Sequence, residues 1–100
     1  MFIISLKQRS IFMAGVLVNP EDLERFINEL KVFTSQLRDS TARLNGQFVR
    51  VSDTWRDQEQ VKFAREFEHL MRVLQQFTQS ADKQIPVLQR KAKFIRDYME

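Results

Sequence analysis

Two long runs of apolar residues, separated by one stretch that can make a turn, constrain this chain more than any other feature. The first run passes through Leu23, Phe26, Leu30, Phe33 and Leu37 and continues through Leu44, Phe48 and Val51. The second passes through Phe63, Phe67, Leu70, Leu74, Phe77, Ala81, Ile85, Leu88, Ala92 and Ile95. Spacings of three and four place such residues on one face of a helix. With 2 glycines and 2 prolines in 100 residues there is little material for further turns, so few, long elements are expected. The expected fold class is all-α, an antiparallel helical hairpin of two long helices.

The ends of the helices can be read from their capping chemistry. In Asn19-Pro20-Glu21-Asp22, Asn19 can accept from orphan N–H groups, Pro20 suits the first helical position, and the acids sit at the positive end of the dipole. The first helix is expected from Pro20 to about Val51. Ser40 and Thr41 interrupt its stripe, and Gly46 is a soft point costing about 1 kcal/mol against alanine. The turn falls in Ser52-Asp53-Thr54-Trp55-Arg56-Asp57. Asp57 followed by Gln60 reads as a variant capping box; a cap at Ser52 or Asp53 would instead place Trp55 inside the second helix. Pro86 lies within the second run, where a missing N–H and a clash with the Asp82 carbonyl predict a kink or a short break. Arg90, Lys91, Lys93 and Arg96 near the end of that helix suit its negative pole.

Residues 19–100 are therefore read as the hairpin domain and residues 1–18 as a flexible N-terminal extension. Phe2 to Leu6 precedes the basic residues Lys7 and Arg9, the reverse of the order in a secretory signal. Regular patterning begins only after Met13, and the expectation is that Met13 is the biological start. No stretch reaches the roughly 18 apolar residues of a bilayer span, so no stable membrane insertion is expected.

A two-helix seam needs only a narrow apolar stripe. Here apolar residues come in adjacent pairs, among them Phe26-Ile27, Val32-Phe33, Leu70-Met71, Val73-Leu74 and Phe94-Ile95. Neighbours on a helix point about 100° apart, so each pair widens the stripe beyond what one partner helix covers. An uncovered apolar face usually marks an interaction site. The expectation is a four-helix bundle formed on dimerisation. Leu23, Phe26, Leu30, Phe33, Leu37, Phe67, Leu70, Met71, Leu74 and Phe77 are expected to serve the core and the dimer interface.

Little points to chemistry. There is no cysteine, hence no disulfide framework or thiolate metal site. Glu66 and His69 have the Glu-x-x-His spacing of di-metal bundles. Measured from an axis through Phe63, Phe67, Leu70 and Leu74, however, Glu66 lies about 70° and His69 about 130° away, so His69 faces water. No glycine-rich phosphate loop is visible, and the single histidine has no evident serine partner. Neither enzymatic activity, nor a cofactor, nor a metal is expected. The net charge of +3 is spread over 16 basic and 13 acidic residues, a solvated helix surface without the basic stripe of a nucleic-acid binder. Glu59, Glu66, Glu68 and Asp82 similarly dilute the basic face that a membrane-surface helix would need.

Trp55-Arg56-Asp57 stands between the two amphipathic runs, with Phe63 eight residues after the tryptophan. This layout resembles the WXG (Trp-x-Gly) hundred-residue family of type VII secretion, whose members are helical hairpins with a Trp-x-Gly turn and often an aromatic eight positions on. The resemblance covers about residues 19–100. Trp55 matches the family tryptophan and Phe63 the later aromatic, while Asp57 stands where the family has glycine. The family's C-terminal Tyr-x-x-x-Asp/Glu signal is incomplete, since Tyr98 is followed by Met99 and Glu100. The resemblance implies a turn motif of Trp55, Asp57 and Phe63. It also implies a homodimer or a heterodimer with a related WXG protein, and a type VII secretion ATPase as a further partner. The chain would be cytoplasmic before export and secreted without a cleaved signal peptide. The alternative is a cytoplasmic coiled-coil adaptor or scaffold unrelated to secretion.

Overall fold

The computed structural model of the chain describes residues 11–13 and 16–99. Two long helices, α1 (Pro20–Ser52, 33 residues) and α2 (Gln58–Met99, 42 residues), make an all-α helical hairpin. Before them, β1 (Ile11–Met13) and β2 (Val16–Val18) pair antiparallel, with Phe12 opposite Leu17. This short ladder was not anticipated from the helical patterning. The rest of the expected N-terminal extension, residues 1–10, 14 and 15, lies outside the described residues, as does residue 100.

The termini follow from side-chain capping. At the start of α1, the Asp22 N–H donates to Asn19 Oδ1 at 3.0 Å, and the Leu23 N–H to the Asn19 carbonyl at 3.0 Å. At its end, the Trp55 N–H donates to the Val51 carbonyl at 2.9 Å, satisfying one of the last orphan acceptors. Of the two caps considered for the second helix, Asp57 is the one formed. Its Oδ1 accepts from the Gln60 N–H at 3.0 Å, leaving Trp55 in the turn outside α2. The capping box is only half made: no bond from the Asp57 N–H to the Gln60 side-chain oxygen accompanies the cap, and the Gln60 amide instead donates across the turn to Ser52 Oγ at 3.2 Å. Of the kink or short break expected at Pro86, the break is not present: α2 runs through it without interruption.

The chain divides into two compact units, one of residues Phe33–Asp82 and one containing residues up to Val32 and from Lys83. In the unit Phe33–Asp82, the ends of α1 and α2 nearest the turn pack antiparallel. Phe67 and Ala81 are buried, with Thr34 and Thr78 beside them in the apolar seam. Thr78 donates to the Gln75 carbonyl at 2.9 Å, and among the described residues no buried side-chain N or O lacks a partner. In the other unit, Ile27, Ala92 and Ile95 are buried, with Leu23, Leu30, Ile85 and Leu88 partly covered.

These positions follow a heptad, strictly along α2 and along α1 as far as Leu37; Leu44 and Val51, which continue the repeat of Leu30 and Leu37, are exposed. Along α2 the covered residues are Gln60, Ala64, Phe67, Met71, Leu74, Thr78, Ala81, Ile85, Leu88, Ala92 and Ile95, alternating steps of four and three. Along α1, Pro20, Ile27, Thr34, Thr41 and Phe48 repeat every seventh residue as position a, with Leu23, Leu30 and Leu37 as position d. This is the period of a coiled-coil seam. The axis taken through Phe63, Phe67, Leu70 and Leu74 is thereby corrected. It lies between two stripes: Phe67 and Leu74 belong to the seam, whereas Phe63 and Leu70 sit one residue off it and are exposed.

Candidate association surface

The seam leaves the hairpin with two flanks of opposite chemistry. In an antiparallel pair, heptad positions e face e and positions g face g, and each flank can be read from one contact. In the unit Phe33–Asp82 the e flank is polar: Arg38 forms an ion pair with Asp82 and also donates to the Thr78 carbonyl at 3.4 Å. Below them lies a shallow groove lined by Thr41, Ala42, Asn45, Leu74 and Gln75. The other unit has the same character on its e flank, where Arg96 Nε donates to Glu24 Oε2 at 3.0 Å as part of a bidentate pair. Both pairs are partly exposed, so each contributes at most about 1 kcal/mol.

The g flank is apolar along α2 of the unit Phe33–Asp82, while on α1 Phe33 is followed at this position by the exposed polar residues Ser40 and Gln47. In the unit Phe33–Asp82, Phe33 and Phe77 meet edge to face with ring centroids 5.9 Å apart, bridging the two helices on this side. Phe63, Leu70 and Val73 continue the same side of α2, and each of these five side chains is roughly half exposed. Their positions, together with Glu66, recur at steps of three and four, forming a second stripe offset by one residue from the seam. In the other unit, Phe26, Val87, Phe94 and Tyr98 are exposed, the last three continuing the α2 stripe in sequence. The residues expected at the core and dimer interface thus separate. Phe67 is buried in the seam, Leu23, Leu30, Leu37, Met71 and Leu74 are partly covered in it, and Phe26, Phe33, Leu70 and Phe77 lie on the exposed stripe.

At the turn, an aromatic cluster ties the two stripes together. Phe48 and Phe67 lie 4.6 Å apart across the seam. Phe63 lies 5.6 Å from Phe48, 5.9 Å from Phe67 and 6.0 Å from Trp55. Trp55, partly covered, is held by this contact and by its N–H bond to Val51, so it closes the end of the hairpin over Phe63. Asp57 contributes the cap rather than a packing surface.

Glu66 and His69 are both exposed, and among the described residues no group of three potential metal ligands comes together. No helix among the described residues is long and apolar enough to cross a membrane. The seam residues that sequence patterning missed are Ile27, Thr34, Thr41, Ala64 and Thr78, with Pro20 and Gln60 at its ends. Their signal was the seven-residue repeat itself rather than hydrophobicity. No protein-family model, curated protein or solved structure matches the chain.

Proposed function

We propose that this chain is a non-enzymatic helical partner protein of a type VII secretion system, acting as an exported substrate or as the chaperone-like member of a helical pair. The observation that carries this reading is the juxtaposition of a tryptophan-anchored turn with an uncovered apolar flank. Trp55 packs 6.0 Å from Phe63 at the turn, and Phe63 opens onto the exposed stripe of Leu70, Val73 and Phe77. A partner helix laid along that stripe would cover it and would end against Trp55. The pair would then be recognised as a folded bundle, with Trp55 and Phe63 marking one end. Binding energy would come from apolar burial, at about 25 cal/mol per Å² removed from water.

One observation favours a second reading, a coiled-coil adaptor outside secretion. Asp57 replaces the family glycine with a side chain that caps α2, so the turn needs no tryptophan–glycine geometry to form. The heptad seam with an ion-paired flank is also sufficient for a scaffold. Export from the native host separates the two. If the secretion reading holds, the chain accumulates outside the cell and this stops when the type VII ATPase is removed. Retention in the cell regardless of that ATPase would leave the adaptor reading.

A further inference from the structure

We infer that the back of the C-terminal part of α2, from Lys83 to Tyr98, docks on the surface of an anionic lipid bilayer. The inference is independent of the partner-protein reading, because it uses other side chains than the stripe from Phe63 to Phe77 that a partner helix would cover.

The first ground is charge. Glu59, Glu66, Glu68 and Asp82, which dilute the basic charge of α2, all precede Lys83. From Lys83 to Tyr98 the helix carries five basic residues, Lys83, Arg90, Lys91, Lys93 and Arg96, against one acid, Asp97. Two of the five are spoken for: Lys93 pairs with Asp97 at 2.8 Å, and Arg96 pairs with Glu24 of α1. Lys83, Arg90 and Lys91 are exposed, and among the described residues they enter no ion pair. Three cations without a counter-charge on one short stretch of helix call for an anionic partner.

The second ground is placement. At about 100° per residue, Arg90 points away from the seam residues Ile85, Leu88, Ala92 and Ile95. Lys83, Phe94 and Val87 lie within about 60° of that direction, with Lys91 and Tyr98 at its margin. Phe94 is 60% and Tyr98 67% exposed, so the hairpin itself covers little of either. A partner helix seats in a groove, and the groove of this unit lies on the e flank, lined by Glu24, Asn28, Gln89 and Arg96. The back of α2 is convex and suits a plane instead. Helices at a bilayer surface lie with apolar side chains in the headgroup boundary and with Lys and Arg beside the lipid phosphates. Lysine and arginine stems reach sideways to those phosphates, and a tyrosine fits the boundary with its ring inward and its hydroxyl in water. A nucleic-acid strand would use the three cations but would offer nothing apolar to Val87.

Flotation of the full chain with vesicles tests this, comparing phosphatidylcholine alone with phosphatidylcholine mixed with phosphatidylglycerol. Binding is expected only to the anionic vesicles and should weaken as salt is raised. Each cation near such a surface contributes about fivefold, so Lys83→Gln, Arg90→Gln and Lys91→Gln together should weaken binding about a hundredfold. Lys31→Gln, Arg50→Gln and Arg65→Gln change the net charge equally at exposed positions elsewhere and should weaken it less than about threefold. The chain has no cysteine, so an environment-sensitive fluorophore on Val87→Cys should shift to the blue on anionic vesicles, while one on Thr54→Cys in the turn should not. Circular dichroism confirms that each variant remains helical. Failure to float, equal binding to both kinds of vesicle, or equal loss in the two triple variants overturns the proposal. So does a fluorophore at Val87→Cys that stays in water, since attraction to net charge alone would give that result. Binding to DNA without binding to vesicles would assign the cations to nucleic acid and overturn the bilayer as partner. Export that depends on the secretion ATPase stands or falls separately from each of these outcomes.

Discussion

Replacing Phe67 by alanine tests the seam assignment most directly. Phe67 is 7% exposed, and its ring packs 4.6 Å from Phe48 and 5.9 Å from Phe63. Truncating a buried phenylalanine costs about 3–5 kcal/mol through lost burial and the cavity left behind. A chain of this size has about 5–15 kcal/mol of total stability, so the loss is a large fraction of it. At roughly 4–8 °C per kcal/mol, the melting temperature should fall by more than about 12 °C. Phe63 belongs to the same cluster but is 45% exposed, so Phe63→Ala should cost about half as much, roughly 1.5–2.5 kcal/mol. Phe94, at 60% exposure, should cost less than about 1 kcal/mol. Urea unfolding followed by circular dichroism measures all three. The work belongs at a concentration low enough that association does not add to the apparent stability. The ordering matters more than any single value. If Phe63→Ala costs as much as Phe67→Ala, the two stripes are not distinct and the seam has been assigned to the wrong face.

Three further substitutions probe the helices themselves. Asp57→Ala removes the acceptor that caps α2 and should cost about 1 kcal/mol in urea unfolding, whereas Asp57→Gly should cost only a few tenths. Gly46 lies within α1, and a Cβ added there meets nothing within 4 Å, so Gly46→Ala should raise stability by about 0.5–1 kcal/mol in the same assay. Pro86 is exposed inside an unbroken α2, where proline is about 3 kcal/mol worse than alanine. Pro86→Ala should therefore raise the thermal midpoint, and a lower midpoint would mean that the proline matches a local distortion of the helix.

Much of the fold was legible because its signals are local. Asn19 and Asp57 as caps, Pro20 at a first helical position, and a turn free of glycine and proline each follow from side-chain reach within three or four residues. The seam was less legible, because hydrophobicity and burial separate along α2. A stripe drawn through the largest apolar residues passes through Phe63 and Leu70, which stay exposed, and omits Ala64 and Thr78, which are partly or fully covered. Pro86 left a kink and a break both open for a related reason. A proline's effect on a helix depends on whether the solvent-facing side can absorb the missing bond, and that side is known only once the seam is placed.

The threonines of the seam also bear on why an apolar face remains outside. Thr34 and Thr78 are buried, and Thr78 satisfies its hydroxyl on its own helix through the Gln75 carbonyl. Such residues fill a narrow seam without adding much apolar area. The large residues Phe33, Leu70 and Phe77 are meanwhile placed one position away, where one partner helix covers only half of each. A chain stabilised only as a single hairpin would gain by the opposite allocation, with large residues in the seam and threonine at its edge, since burial stabilises at about 25 cal/mol per Å². The observed allocation forgoes burial that the isolated hairpin could have made; on the proposed reading, that surface is left for a partner helix.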